Sequence, residues 1–162
     1  MHEVVYLAKE VAMTLPGQSS FAVGIEFAFQ FTDGAHSNIL SYVNTVETTS
    51  GGTHLAAMKA SILCALNEAD LYPLDNENDE AELTWKRVAP RLSAVINIRH
   101  PNPHFRSPTK AVLGNREIYG AVAGLVYNSF WEQLQGMGWE KRKAFGRHFF
   151  HPYTSNSDDS VV

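Results

Sequence analysis

The sequence predicts an α+β fold, a two-layer α/β sandwich whose helices cover one face of the sheet. Three observations carry that expectation. Between Phe21 and Phe31, the residues Phe21, Val23, Ile25, Phe27, Phe29 and Phe31 alternate with Ala22, Gly24, Glu26, Ala28 and Gln30 at period two, as in a half-buried strand. Leu55, Met58, Ile62, Leu66 and Ala69 recur at helical spacing, and so do Ile118, Val122, Leu125, Val126, Phe130 and Leu134 from about Arg116 onward. Between the two helical runs, Leu92, Ala94, Ile96 and Ile98 return to alternation, which predicts another strand over Leu92–Arg99.

In chain order, Val4, Leu7, Ala8, Val11 and Leu15 suit a helix, yet Val4-Val5-Tyr6-Leu7 suits a strand that turns at Pro16-Gly17 and pairs with the Phe21 strand, and the strand is preferred because a Pro-Gly turn between two apolar runs has a hairpin mechanism. Asp33-Gly34 is a second turn signal, and with Ile39, Leu40, Tyr42, Val43 and Val46 behind it the Phe21 strand and its successor read as an antiparallel hairpin. Ser50-Gly51-Gly52 breaks that run, with Thr53 as the N-cap of the first helix. Asp70 to Glu82 reads as an exposed acidic loop. Pro101, Pro103 and Pro108 keep His100 to Thr109 extended and irregular, since each lacks an amide donor and disfavours helix at the residue before it. Residues 1–150 form one domain and 151–162 a polar, frayed C-terminal tail.

At 162 residues the chain supports a single sizeable core. No apolar run approaches the roughly 20 residues that span a bilayer, and Met1-His2-Glu3 lacks the basic start of a signal peptide. These features predict a soluble, unexported, cytoplasmic protein with no membrane partner. A single cysteine, Cys64, excludes an internal disulfide and a multi-cysteine zinc site; inside an apolar helix it is expected to be a buried, inert thiol. Charge is segregated. Leu66 to Glu82 holds seven acids and no base, whereas Leu83 to Phe150 holds eleven bases against three acids. That balance suits either a solvated basic surface or a face turned toward the phosphates of a nucleotide or of DNA.

Lys110 ends the proline-stiffened segment Arg106-Ser107-Pro108-Thr109-Lys110, where a loop with little conformational freedom can present an ammonium to a phosphate; Arg99 and Arg106 flank it. Gly51-Gly52-Thr53-His54 invites comparison with phosphate-binding loops but lacks the P-loop spacing, so a backbone turn and helix cap is the better reading. His100 and His104 are separated by prolines, and His148 and His151 lie near the terminus, so no metal site is expected. With no Gly-x-Ser-x-Gly elbow and a cysteine confined to a helix, nucleophilic catalysis is not expected either.

Several stretches in order resemble one family, the B subunit of bacterial type II topoisomerases (DNA gyrase and topoisomerase IV). They are Phe27-Ala28-Phe29-Gln30-Phe31-Thr32-Asp33-Gly34, Tyr42-Val43-Asn44-Thr45-Val46, Gly51-Gly52-Thr53-His54-Leu55-Ala56, Leu92 to Ile98, His100-Pro101-Asn102-Pro103-His104-Phe105 and Thr109 to Glu117. Together they cover about Val23 to Leu134. The resemblance implies the transducer domain, with a ribosomal protein S5 domain 2-like fold and a mixed sheet, lying between a nucleotide-binding GHKL domain and a Toprim region. It also implies that a Gln-Thr-Lys loop reaches the γ-phosphate of ATP, the lysine falling on Lys110 and the threonine on Thr109. The glutamine falls on Pro108, which removes a side-chain amide donor. Lys59 falls where the family often carries an arginine facing the cavity that admits double-stranded DNA.

No segment offers the GHKL catalytic glutamate, its magnesium-binding asparagine or its glycine-rich lid, so ATP and Mg²⁺ are expected to be bound mainly by a neighbouring domain, and the chain alone is not expected to hydrolyse ATP. The leading expectation is a transducer that couples ATP state in that neighbour to DNA strand passage. The alternative is a stand-alone DNA- or topoisomerase-binding module of the same fold with no nucleotide role. A small-molecule kinase relative is disfavoured, because no glycine loop cradles a phosphate.

Overall fold

The alternating run Phe21–Phe31 forms a strand, β2, and its register assigns the sheet its two faces. In the computed structural model, which describes residues 3–32, 37–69, 71 and 83–150, β2 pairs antiparallel with β1 (Val5–Met13) from Val5 opposite Phe29 to Met13 opposite Phe21. The Pro16-Gly17 turn joins them, closed by the Gln18 N–H donating to the Leu15 carbonyl at 3.0 Å. On its other edge β2 pairs antiparallel with β5 (Leu92–Arg99), so Phe31, Phe29, Phe27 and Ile25 stand beside Leu92, Ala94, Ile96 and Ile98 on one buried face.

The expected hairpin between the Phe21 strand and its successor does not form. With β3 (Asn38–Val43) and β4 (Val46–Glu47) the strand order is β1-β2-β5-β3-β4, and β3 runs parallel to β5, which separates it from β2. The physical reason lies in β5, whose inner residues match both β2 and the inner residues Ile39, Ser41 and Val43 of β3. Stepping over one strand costs the connection only roughly 10 Å, within reach of the intervening chain. The Asp33-Gly34 turn lies outside the described residues. The strand expected to run through Val46 breaks instead at Asn44-Thr45, both with positive φ (47° and 71°), which turns β3 into β4.

Two long helices cover the buried face. The first, α1 (Thr53–Glu68), buries Ala57, Met58, Ile62, Ala65 and Leu66. Its N-cap is Gly52, not Thr53, whose hydroxyl is buried without a hydrogen-bond partner among the described residues. A short helix, α2 (Trp85–Val88), and a 3₁₀ turn (Ala89–Arg91) lead into β5. The next helix, α3 (Ile118–Gly136), buries Ile118, Val122, Val126, Phe130 and Leu134, at the expected spacing. A last helix unforeseen from the sequence, α4 (Trp139–Phe150), sets Phe145 and Phe149 edge-on to Phe31, with ring centroids at 5.5 and 5.1 Å. Phe130 meets both Phe29 and Phe31, at 5.2 and 5.8 Å, so one aromatic cluster joins β2, α3 and α4.

The opposite sheet face carries Tyr6, Ala28, Val95 and Leu40 in one row across four strands, and no described helix covers it. The α+β class and the placement of the helices on one face are as expected. Most of the acidic segment 70–82 and all of the tail 151–162 lie outside the described residues.

Candidate functional site

The loop between β5 and α3 presents Lys110. Its two arms form a narrow ribbon: Phe105 bridges Leu113, the Arg106 N–H donates to the Val112 carbonyl at 3.0 Å, and the Gly114 N–H donates to the His104 carbonyl at 2.7 Å. At the tip the Lys110 N–H closes a turn on the Ser107 carbonyl at 3.0 Å. Pro108 sits at the second position of that turn, where its fixed φ costs nothing. Lys110 has φ 57°, in the left-handed region that lysine seldom adopts, so the ribbon must hold it there.

The Lys110 side chain is exposed, with its Nζ 5.9 Å from the centroid of the Phe105 ring. Among the described residues no carboxylate pairs with it. Thr109 is also exposed, its hydroxyl 2.9 Å from that of Ser107. Arg106 shares the ribbon and packs its side chain along Gly114. Arg99 lies instead on the open sheet face, folded over Gly24.

The glycine pair supports the ribbon from below. The Ser50 N–H donates to the Ala111 carbonyl at 3.0 Å, the Leu113 N–H to the Gly51 carbonyl at 3.0 Å and the Thr53 N–H to the Leu113 carbonyl at 3.1 Å. The Ser50 and Thr53 amides are thus spent on the lysine loop and the Gly51 amide on the Thr48 carbonyl, which is the turn-and-cap role expected of Gly51-Gly52 with an added task. Gly51 and Gly52 have φ of 76° and 136°, and side chains are poorly tolerated there. Through this seat the start of α1 and the lysine loop are hydrogen-bonded to each other.

Two asparagines hold the base of the loop. The Asn44 carboxamide grips the His100 backbone twice, accepting from its N–H at 2.9 Å and donating to its carbonyl at 2.7 Å. Asn115 accepts from the His104 N–H at 2.6 Å and donates to Glu117 Oε1 at 2.6 Å. His100 is buried. Its Nδ1 accepts from the Asn102 N–H at 3.1 Å, which leaves Nε2 to carry the proton toward Glu117 Oε1, 3.4 Å away. Burial alone would raise the Glu117 carboxyl, yet the hydrogen bonds from Asn115 and from its own backbone, with His100 beside it, hold it below its ordinary range. His100, Asn115 and Glu117 line a cleft of about 650 Å³ whose far wall is the segment Gln18 to Ser20, just past the Pro16-Gly17 turn. Sequence reasoning missed Asn44, Asn115 and Glu117 as supports of the site. The one available signal was Asn44-Thr45, a turn dipeptide between two strand-like runs.

Other candidates resolve differently. Lys59 is half-buried on α1 with its Nζ 5.3 Å from the Trp85 ring centroid, on the side facing α2 and apart from the lysine ribbon. His54 is buried, 3.3 Å from the Thr48 hydroxyl, and burial lowers its pKa to about 4. Cys64 is not buried. It is exposed on α1 and donates to Glu68 Oε1 at 3.1 Å, and that bond raises its pKa. Among the described residues there is no group of three or more His, Cys, Asp or Glu side chains able to hold a metal, and no helix long and apolar enough to cross a membrane.

This arrangement of sheet and helices has counterparts among solved structures of gyrase B ATPase domains. The crystal structure of the 43K ATPase domain of Thermus thermophilus gyrase B, in complex with an aminocoumarin, superposes with a TM-score of 0.65 at 29% identity, covering 88% of this chain and 37% of that one. The DNA gyrase B family model matches residues 1–144, and the chain belongs to that family. The DNA gyrase B protein of Enterococcus faecalis is 44% identical over 97 residues, covering 59% of this chain and 15% of that protein. The Streptococcus pneumoniae DNA gyrase B protein is 36% identical over 111 residues, covering 67% and 17%. The chain thus spans less than a fifth of the length of these curated relatives.

Proposed function

We propose that this chain is the transducer domain of an ATP-dependent type II topoisomerase B protein, with a ribosomal protein S5 domain 2-like fold over residues 1–150, and that it works in the cytoplasm. It couples ATP binding in a GHKL domain to DNA strand passage. The observation that supports this most is the exposed Lys110 ammonium, unpaired among the described residues and carried in a left-handed conformation at the tip of a backbone-locked ribbon. A cation without a carboxylate partner among the described residues, at the tip of a backbone-held loop, fits the terminal phosphate of a nucleotide held by another domain. There it would offset the charge that develops on a transferring phosphoryl group. The Thr109 hydroxyl stands beside it as a second donor. On this reading Mg²⁺ is used only through the GHKL domain.

Contact between Lys110 and a triphosphate favours one arrangement of the two domains, a population shift set by the difference in interaction between the two arrangements. Lys59 faces the double-stranded DNA admitted to the enzyme, and Toprim-bearing parts of the assembly respond to the shift. The test is ATP turnover by a GHKL domain mixed with or fused to this chain. Lys110→Ala is expected to slow turnover, and equal turnover would remove the sensor role.

Pro108 favours a second reading. It takes the place of a side-chain amide that would also have contacted nucleotide, and so leaves room for a stand-alone module that binds DNA or a topoisomerase without sensing ATP. On that reading the isolated chain binds duplex DNA with an affinity that falls steeply with salt. A flat salt dependence rejects it.

A further inference from the structure

Lys110 is exposed, whereas at the other end of the loop His100 and Asn115 are buried and Glu117 is half-buried. His100 and Glu117, at the two ends of the loop, meet at 3.4 Å, and Asn115 stands between the arms with both its amide oxygen and its amide nitrogen engaged inside the loop. Its Oδ1 accepts from the His104 N–H. Its Nδ2 donates to Glu117 at 2.6 Å and approaches the Asn102 carbonyl at 3.4 Å. His104 then passes the constraint on, because its carbonyl accepts from Gly114 next to the Phe105–Leu113 bridge that carries the tip.

We infer that Asn115 is a positioning residue for Lys110, acting through the His104 backbone and the His100–Glu117 pair to hold the ribbon in the one orientation that projects the ammonium outward. This rests on the reading of Lys110 as the phosphate-contacting group. The chemistry is asymmetric. An amide is needed at 115 because one atom must accept from a backbone N–H while the other donates to a carboxylate. Asn115→Asp keeps the acceptor but loses the donor and sets two carboxylates face to face, which opens the base of the loop. Exchanging the partners, Asn115→Asp with Glu117→Gln, restores a donor facing a carboxylate but gives up the His100 contact, because Asn115 and His100 both meet the same Glu117 atom, Oε1.

The experiment uses amide hydrogen exchange on the full chain. In Asn115→Asp the amides of Arg106, Lys110 and Gly114 are expected to exchange about tenfold faster or more, while amides in the middle of α1 are unchanged. The double variant is expected to return part of the protection, since the 115–117 pair is rebuilt and the His100 contact is not. Unchanged exchange in Asn115→Asp, or no recovery in the double variant, overturns the proposal. The second measurement is ATP turnover with the GHKL domain in a Lys110→Ala cycle. Asn115→Asp is expected to lower turnover when Lys110 is present and to add nothing once it is gone. An equal further loss without Lys110 shows that Asn115 acts by another route and overturns the proposal. If Lys110→Ala itself has no effect, the phosphate-contact reading fails and with it the positioning role toward phosphate, whereas the exchange data still decide whether Asn115 holds the loop.

Discussion

A methyl group on Gly52 would stand 2.5 Å from the backbone nitrogen of Leu113 and 2.8 Å from its Cα, and closer still to its carbonyl oxygen. The start of α1 and the lysine ribbon are thus in backbone contact, and the contact exists only because position 52 has no side chain. Gly52→Ala must both push the ribbon away and adopt φ near 136°, so it is expected to destabilise the chain by about 3 kcal/mol or more. Urea unfolding of the purified chain checks the magnitude. Hydrogen exchange at Thr53 and Leu113, whose amides cross this contact, reports whether the seat is where the damage lies.

His54 predicts an acid-sensitive fold. It is fully buried and neutral, its pKa lowered by burial from 6.5 to about 4, and its Nδ1 has no hydrogen-bond partner among the described residues. The unfolded chain therefore binds a proton that the folded chain refuses between those two values. Stability from this group is complete above pH 6.5 and falls as the pH drops toward about 4, by a total on the order of 3 kcal/mol. His54→Gln removes the titration. The stability difference between pH 7 and pH 4.5, measured by urea unfolding, should shrink in that variant, and a difference equal to that of the parent chain would show that another group is responsible.

What could be read from the sequence was what repeats locally. The alternation of β2, the spacing of α1 and α3 and the Pro16-Gly17 hairpin depend on neighbours within a few residues, and each left a periodic or dipeptide trace. The position of β3 depends on β5, which follows it by some fifty residues in the chain, so no local signal could show that the two pair in parallel. In α4 the run Glu140-Lys141-Arg142-Lys143 masks an amphipathic helix whose burial rests on Phe145 and Phe149. The candidate site divides in the same way. Lys110 and Pro108 stood out as a cation behind a stiff turn, whereas Asn44 bonds to a backbone 56 positions away, and nothing in its own surroundings announces that.

The aromatic cluster predicts a graded response. Phe130 is fully buried between Phe29 and Phe31, and Phe130→Ala is expected to cost about 3–5 kcal/mol through lost burial and a residual cavity. Phe145 is half-buried at the edge of the same cluster, and its truncation is expected to cost about 1–2 kcal/mol, since part of its surface already meets water. Thermal unfolding of both variants gives the order. A larger loss for Phe145→Ala would mean that α4 contributes more to the core than its exposure suggests.

A carboxylate shared by two donors makes the last prediction. Glu68 on α1 accepts from the Tyr127 hydroxyl of α3 through Oε2 at 2.5 Å and from Cys64 Sγ through Oε1 at 3.1 Å. The bond to Glu68 pushes the Tyr127 phenol up to about 12, with desolvation and the nearby negative charges adding to it, and the same bonds hold the Glu68 carboxyl below its ordinary range. Ultraviolet titration of the chain, compared with Tyr127→Phe, should show one tyrosine ionising near 12. In Glu68→Gln the carbonyl oxygen can still accept but the charge is gone, so that phenol should move back toward about 10, the ordinary tyrosine value. The Cys64 thiol, freed of the same carboxylate, should then react faster with a disulfide reagent at about pH 8, because more of it is thiolate. If the phenol stays near 12 in Glu68→Gln, the carboxylate is not its cause; if only the phenol moves, the thiol is governed by its surroundings on α1 and not by Glu68.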